Sequence, residues 1–171
     1  MVVAKTLPVM TALVRALAAR EMQREYLAIA QGLPRAKQWS AEQPIGRDPA
    51  SRIKMAVVGL AQGGKPARTD FAFLGQAEGL SLWRCKLHTG RTHQIRVHAA
   101  AAGHPLVADS LYGGAPALGL ERQALHAARL RFAHPVTGAA CAFLAPLPVD
   151  LALAWQALEG PPLEAALTAL E

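Results

Sequence analysis

Apolar positions along this chain follow two rhythms, and the first has a period of two. In residues 80–88, Leu80, Leu82, Arg84, Lys86 and His88 alternate with Ser81, Trp83, Cys85 and Leu87, as in a half-buried strand. Residues 25–31 do the same, with Tyr26, Ala28 and Ala30 opposite Leu27, Ile29 and Gln31, and Gly32 closing the run. Two more alternating runs, 52–58 and 67–74, are joined through Gly63-Gly64, and a turn containing Gly79 leads into 80–88. Together these three runs predict an antiparallel meander. A last hairpin is expected between 125–133 and 139–144, turning at Pro135-Val136-Thr137-Gly138, and residues 1–4 read as a strand with nothing ahead of it to pair.

The second rhythm is helical. Thr6 is the expected cap of a helix with Pro8 in its first turn; Met10, Leu13, Val14 and Leu17 form its inward stripe, Arg15 and Arg20 point outward, and it ends near residues 19–21. A short helix is expected over 93–102, capped by Thr92 and stopped by Gly103 with Pro105 beyond. Asp150 caps a final amphipathic helix to about Leu158, after which Pro161-Pro162 starts a short helical or frayed tail. Residues 33–44 and 108–119 read as loops. The expected fold class is α+β, a mixed, mainly antiparallel bent sheet with a few packed helices.

The densest chemistry lies where the strand at 80–88 turns into the helix at 93–102. Strand, tight turn and helix N-terminus in that order direct free backbone N–H groups and a helix dipole at one spot. Arg91, His93, Gln94 and Arg96 surround that spot with donors. A basic turn can also be a solvated loop, but planar Arg forks at this density match carboxylate or phosphate oxygens. A metal site is not expected, because His88, His93, His98 and His104 recur at intervals that share no face and no Cys or carboxylate completes a ligand spacing.

Composition adjusts this picture modestly. With 171 residues, 52% hydrophobic and 18% charged, the chain can bury one core. Its net charge of +6 is carried mainly by Lys and Arg ahead of residue 100, a bias that suits a polyanionic partner as well as ordinary solubility. Cys85 and Cys141 fall in strand-like runs and imply no disulfide framework. No signal peptide and no run of about 18 apolar residues is seen, so a cytoplasmic protein without membrane association is expected.

The segment TGRTHQIRVHAAAAGHPLVADSLYGG resembles the signature of the RluA-type RNA pseudouridine synthases, the group with the RluC- and RluD-like enzymes of large-subunit ribosomal RNA. MVVAKT at the start, REYLAIAQG at 24–32, PIGRDPASRIKMAV at 44–57, GGKPARTDF at 63–71, RQALHAARLRFAHPVTG at 122–138 and APLP at 145–148 follow in that family's order, so the resemblance covers residues 1 to about 158. It implies a bent mixed sheet with an active-site cleft across its middle, an isomerase that converts uridine in RNA to pseudouridine, and no cofactor. RNA is the implied partner, ribosomal first and transfer RNA second, and the protein is expected to act as a monomer.

The resemblance also assigns residues. In the family a carboxylate in a His-Arg-Leu-Asp motif acts near the sugar or base, a Tyr follows about thirty residues on, and the last Arg of GRTHQIR pairs with the Asp. That Tyr corresponds to Tyr26 and that Arg to Arg96. Arg47, Lys54, Lys65, Arg91, His93 and Gln94 are the expected RNA-binding residues. The Asp motif belongs immediately before MVVAKT, and none of Asp48, Asp70, Asp109 and Asp150 stands at its position. The expectation is thus the C-terminal part of a catalytic domain, residues 1–158 with a tail at 159–171. Two functions remain open: an RNA isomerase whose Asp comes from elsewhere, and an RNA-binding remnant without chemistry.

Overall fold

The computed structural model describes residues 2–168. A six-stranded antiparallel sheet in the order β2-β5-β6-β1-β7-β8 is built from β1 (Gln23–Gln31), β2 (Gln38–Ala41), β5 (Thr69–Ala77), β6 (Leu80–Leu87), β7 (Leu125–Ala133) and β8 (Ala140–Leu144). A separate two-stranded ribbon pairs β3 (Ile45–Arg47) with β4 (Met55–Val57). The helices are α1 (Leu7–Ala18), α2 (Gln94–Ala101), α3 (Val149–Ala157) and α4 (Leu163–Thr168). The α+β class with a mainly antiparallel sheet is therefore observed, and every strand pairing among the described residues is antiparallel.

β1 is the centre of the sheet, paired on one side with β6 and on the other with β7, and both of its faces are covered. Leu27 and Ile29 point into a core with Leu82, Val107, Leu151, Trp155 and Leu167. Ala28 and Ala30 point the other way, into a core with Phe71, Trp83, Cys85, Leu87, Ile95 and Ala99. The sheet is thus a middle layer, with α3 and α4 on one face and α2 on the other. Each wholly buried Leu or Ile of these cores contributes about 1.5–3 kcal/mol relative to exposure. Hairpin β5–β6 closes through Glu78 and Gly79, both at positive φ (54° and 76°), the tight turn whose twist matches its strands.

Several expectations change. Val2, Val3 and Ala4 form no strand, and Met1 lies outside the described residues. The segment 33–44 holds β2, which pairs with β5 so that Trp39 stacks on Phe71 with ring centroids 4.1 Å apart. The expected meander loses its first link, because β4 pairs with β3 and not with β5. Apolar alternation located both runs but could not say which neighbour completes each ladder.

The ends of the helices also move. His93, not Thr92, precedes α2, and it does so in the left-handed region at φ 56°. Asp150 lies within the first turn of α3, where its carboxylate accepts an Arg122 Nη2–H at 2.9 Å, and Pro148 precedes that helix. In α1 the expected inward stripe faces solvent, with Met10, Val14 and Leu17 exposed and no residue of the helix buried. The tail, in contrast, is anchored: α4 buries Ala166 and Leu167, and the Leu167 carbonyl accepts N–H groups of Arg84 at 2.6 Å and Arg129 at 2.8 Å.

Candidate active site

The turn between β6 and α2 is fixed by one buried amide. Gln94 Oε1 accepts the Thr89 hydroxyl at 2.7 Å and the Arg91 N–H at 3.0 Å, while its Nε2 donates to the Arg68 carbonyl and to Thr69 Oγ1, both at 2.9 Å. These four bonds use both lone pairs and both protons of the side chain. Gln94 is 2% exposed, so it holds the turn in shape, and its side chain is not the open donor that the sequence suggested. The network runs on: His98 Nε2–H donates to the Gln43 carbonyl (3.0 Å), which leaves Nδ1 to accept the Thr69 hydroxyl (3.0 Å). Burial lowers the pKa of His98 below the usual histidine range, consistent with this neutral form.

Arg96 has a partner that differs from the one the resemblance implies. Its Nε–H and Nη2–H donate to the two carboxylate oxygens of Asp109 at 2.8 and 2.7 Å, and its guanidinium lies over the Tyr112 ring, 4.8 Å from the centroid. The hydrogen bonds to Asp109 raise the Arg96 pKa further. Arg96 is therefore not an uncompensated cation in this structure. Asp109 and Tyr112 sit in the loop over 108–119, where alternation carries no signal. Only the polar residues within LVADSLYGG marked them.

Tyr112 also joins the turn to the small ribbon. Its hydroxyl accepts the Met55 N–H at 3.0 Å, leaving its own proton for His93 Nδ1 at 2.8 Å. Burial and the nearby Arg96 charge lower the pKa of His93, in keeping with a ring that accepts at Nδ1. Arg47 lies at the end of β3 and Lys54 just before β4. Lys65 is bound through its backbone to Ile45, and Arg91 Nε–H donates to the Pro66 carbonyl at 3.0 Å. The sequence-selected Arg47, Lys54, Lys65, Arg91 and His93 thus stand on segments joined to one another around Tyr112.

Tyr26 lies elsewhere on the same side of the sheet. It packs beside the cluster that contains Cys85, Trp83 and Ile95 from α2. Next to it the register of β1 against β7 slips: Glu25 faces Arg129 and Tyr26 faces Ala127, so Ala128 is an extra residue on β7. Such a bulge bends the strand and re-aims the side chains beside it. Tyr26 and Arg24 line an open cavity of about 410 Å³ with Val2, Ala127, Leu130, Phe143 and Leu144. Glu25, between them in sequence, points through the sheet and is buried against Arg129, with Arg131 at 3.5 Å and Arg84 at 3.8 Å.

None of the four aspartates lines that cavity. Asp48 accepts the Ala50 N–H (2.8 Å) in the β3–β4 turn, and Asp70 binds Ser40 (2.7 Å), Arg68 (3.1 Å) and His88 (2.5 Å). Asp109 holds Arg96, and Asp150 holds Arg122. Among the described residues no three His, Cys, Asp or Glu side chains are grouped as a metal site, and no helix is long and apolar enough to cross a membrane.

Comparison with known proteins places the chain in a group. The family described as RNA pseudouridylate synthase matches residues 1–101. The chain is 43% identical to the ribosomal large subunit pseudouridine synthase D of Pasteurella multocida, over 93% of this chain and 52% of that protein. It is 45% identical to the protein of the same name from Vibrio parahaemolyticus, over 92% and 51% respectively. The chain thus spans about half the length of the curated relatives it matches. Among solved structures, human RNA pseudouridylate synthase domain containing 1 superposes with a TM-score of 0.70 at 28% identity, covering 93% of this chain and 74% of that one. Human RNA pseudouridylate synthase domain containing 4 has the same fold, with a TM-score of 0.73 at 18% identity, covering 92% of this chain and 70% of that one.

Proposed function

We propose, starting from the fact that this chain belongs to the RNA pseudouridylate synthase family, that its residues serve the isomerisation of uridine to pseudouridine in RNA. The names of its relatives make large-subunit ribosomal RNA the first substrate to test, and transfer RNA is the second. The observation that carries the reading is the placement of Tyr26 in a mainly apolar cavity, on the sheet face that also carries α2 and its basic turn. The reaction cuts a glycosidic bond, turns the base and forms a carbon–carbon bond at the same sugar. It calls for a pocket that accepts a base taken out of its stack and for cations that hold the flanking backbone. Tyr26 offers the ring for the first task, and Arg47, Lys54, Lys65, Arg91 and His93 offer charge and donors for the second. No cofactor, metal or membrane enters this reading, and the protein acts as a monomer in the cytoplasm.

The nucleophilic Asp that the resemblance implies is the part these 171 residues do not supply. No His-Arg-Leu-Asp motif occurs in them, and each aspartate is engaged elsewhere. The same observation favours a second reading, RNA binding without chemistry. Incubating the chain with a transcript of large-subunit ribosomal RNA, then mapping pseudouridine by carbodiimide adducts, separates the two. Binding without conversion is expected for the chain alone, with conversion when a segment bearing His-Arg-Leu-Asp precedes Met1. Conversion that disappears when the Asp of that segment becomes Asn supports the isomerase. Binding that never leads to conversion leaves the second reading, and absence of RNA binding overturns both.

A further inference from the structure

We propose that Arg24 holds one phosphodiester of the RNA strand that presents a uridine to Tyr26, an inference that rests on the RNA reading of this site. Arg24 and Tyr26 are two residues apart on β1, so they project from the same face, and both line the 410 Å³ cavity. The Arg24 guanidinium lies directly against Gly90 in the turn before α2. A Cβ added to Gly90 would stand 2.3 Å from Nη1 and 3.2 Å from Cζ of Arg24. The turn residue thus leaves room for this cation and for nothing larger than hydrogen.

Arg24 combines partial burial with the lack of an anion. Its Nε is buried without a hydrogen-bond partner, and it forms no ion pair among the described residues. Arg68, Arg96, Arg122 and Arg129 all meet a carboxylate. Burial lowers the Arg24 pKa, and only the neighbouring Tyr26 acts in the opposite direction. A half-buried guanidinium without a partner is unfavourable until an oxyanion reaches it, and its planar fork suits two oxygens of one phosphate. The phosphate reading is preferred over a protein carboxylate because the basic residues around Tyr112 mark the same side of the sheet for a polyanion.

The test uses the full chain and a fluorescent single-stranded oligoribonucleotide with one uridine, titrated over a salt series. Arg24→Gln should flatten the slope of log affinity against log salt by about 0.7, the contribution of one single-strand phosphate. In a scan that replaces one linkage at a time by methylphosphonate, one linkage next to the uridine should weaken wild-type binding by about tenfold, the scale of one charge-assisted hydrogen bond. That penalty should vanish in Arg24→Gln. Gly90→Ala, which displaces the guanidinium while keeping its charge, should reduce the same penalty and serves if the first variant fails to fold. An unchanged slope and an unchanged linkage penalty in a folded variant overturn the proposal and leave the RNA reading standing. A wild-type chain that binds no RNA at low salt overturns the RNA reading itself.

Discussion

Removing the carboxylate of Asp109 should be among the most damaging single changes in this domain. Asp109 is 2% exposed, and both of its oxygens accept protons from Arg96 at 2.8 and 2.7 Å. In Asp109→Ala the guanidinium is left over the Tyr112 ring without a counter-charge. Breaking a buried pair from one side costs about 3–5 kcal/mol, while the remaining cation–π contact offsets only about 0.5–2 kcal/mol. Part of Arg96 still reaches solvent, with 13% of its side chain exposed, so the lower end, about 3 kcal/mol, is expected. Against a total stability of about 5–15 kcal/mol this is a large fraction.

Urea unfolding followed by the fluorescence of Trp83 and Trp155, both in the core, measures the effect directly. The four proteins needed are wild type, Arg96→Met, Asp109→Ala and the double variant. Each single change leaves one charge unpaired, whereas the double change leaves none, so the two should couple by about 2 kcal/mol or more. A loss below about 1 kcal/mol in Asp109→Ala, or simple additivity in the double variant, would refute the view that this pair is a structural strut.

Acid should weaken the fold through His98, whose folded pKa is lowered by burial. The unfolded chain takes up its proton first, so the contribution is complete above the unfolded value of about 6.5 and is lost as pH falls toward the folded value, at up to about 1.4 kcal/mol per unit. Urea midpoints from pH 8 down to 5 should decline in that window, and less so in His98→Gln. Leu167→Ala should cost about 2–4 kcal/mol because Leu167 is 1% exposed in the core, whereas Thr168→Ala on the exposed side should shift the melting temperature little. Gln94→Leu leaves the Arg91 N–H without its acceptor and takes one of two donors from the Arg68 carbonyl, which keeps the His88 N–H, and should lower stability by about 1–3 kcal/mol in the same unfolding assay.

Alternation and helical recurrence revealed most elements, because each strand face and helix stripe needs an apolar neighbour. They did not reveal which neighbour. The stripe of α1 was legible, yet Met10 and Val14 are 48% and 59% exposed, since periodicity fixes which side chains share a line and not what lies against them. Strand β2 was hidden because four residues between Pro34 and Pro44 are too few to show a period, and Trp39 gains its place only by stacking on Phe71. In the turn before α2, the density of donors in GRTHQIR was legible, but the division of labour within it was not. Gln94 and Arg96 turn inward to Thr89 and Asp109, and this depends on residues as far away as the loop over 108–119. Arg24 was legible in principle: in Arg24-Glu25-Tyr26 a period of two places the Arg and the Tyr on one face.

That tripeptide also explains how one strand serves two electrostatic purposes. Glu25 projects to the face of α3 and α4, where it is 2% exposed and meets Arg129. The α4 carbonyl of Leu167 accepts from Arg129 and Arg84, so the charged layer beneath the sheet ties the last helix to the central strand. Arg24 and Tyr26 project to the opposite face, toward Gly90 and the open cavity. A strand is the element suited to this separation, because adjacent side chains leave it on opposite sides. A one-residue slip of β1 would exchange the two sets, placing the carboxylate in the cavity and the cation beneath the sheet. The register is protected against that slip by Leu27, Ala28, Ile29 and Ala30, all 1% exposed or less, which anchor both faces. The packing that makes β1 the centre of the fold is thereby also what aims Tyr26.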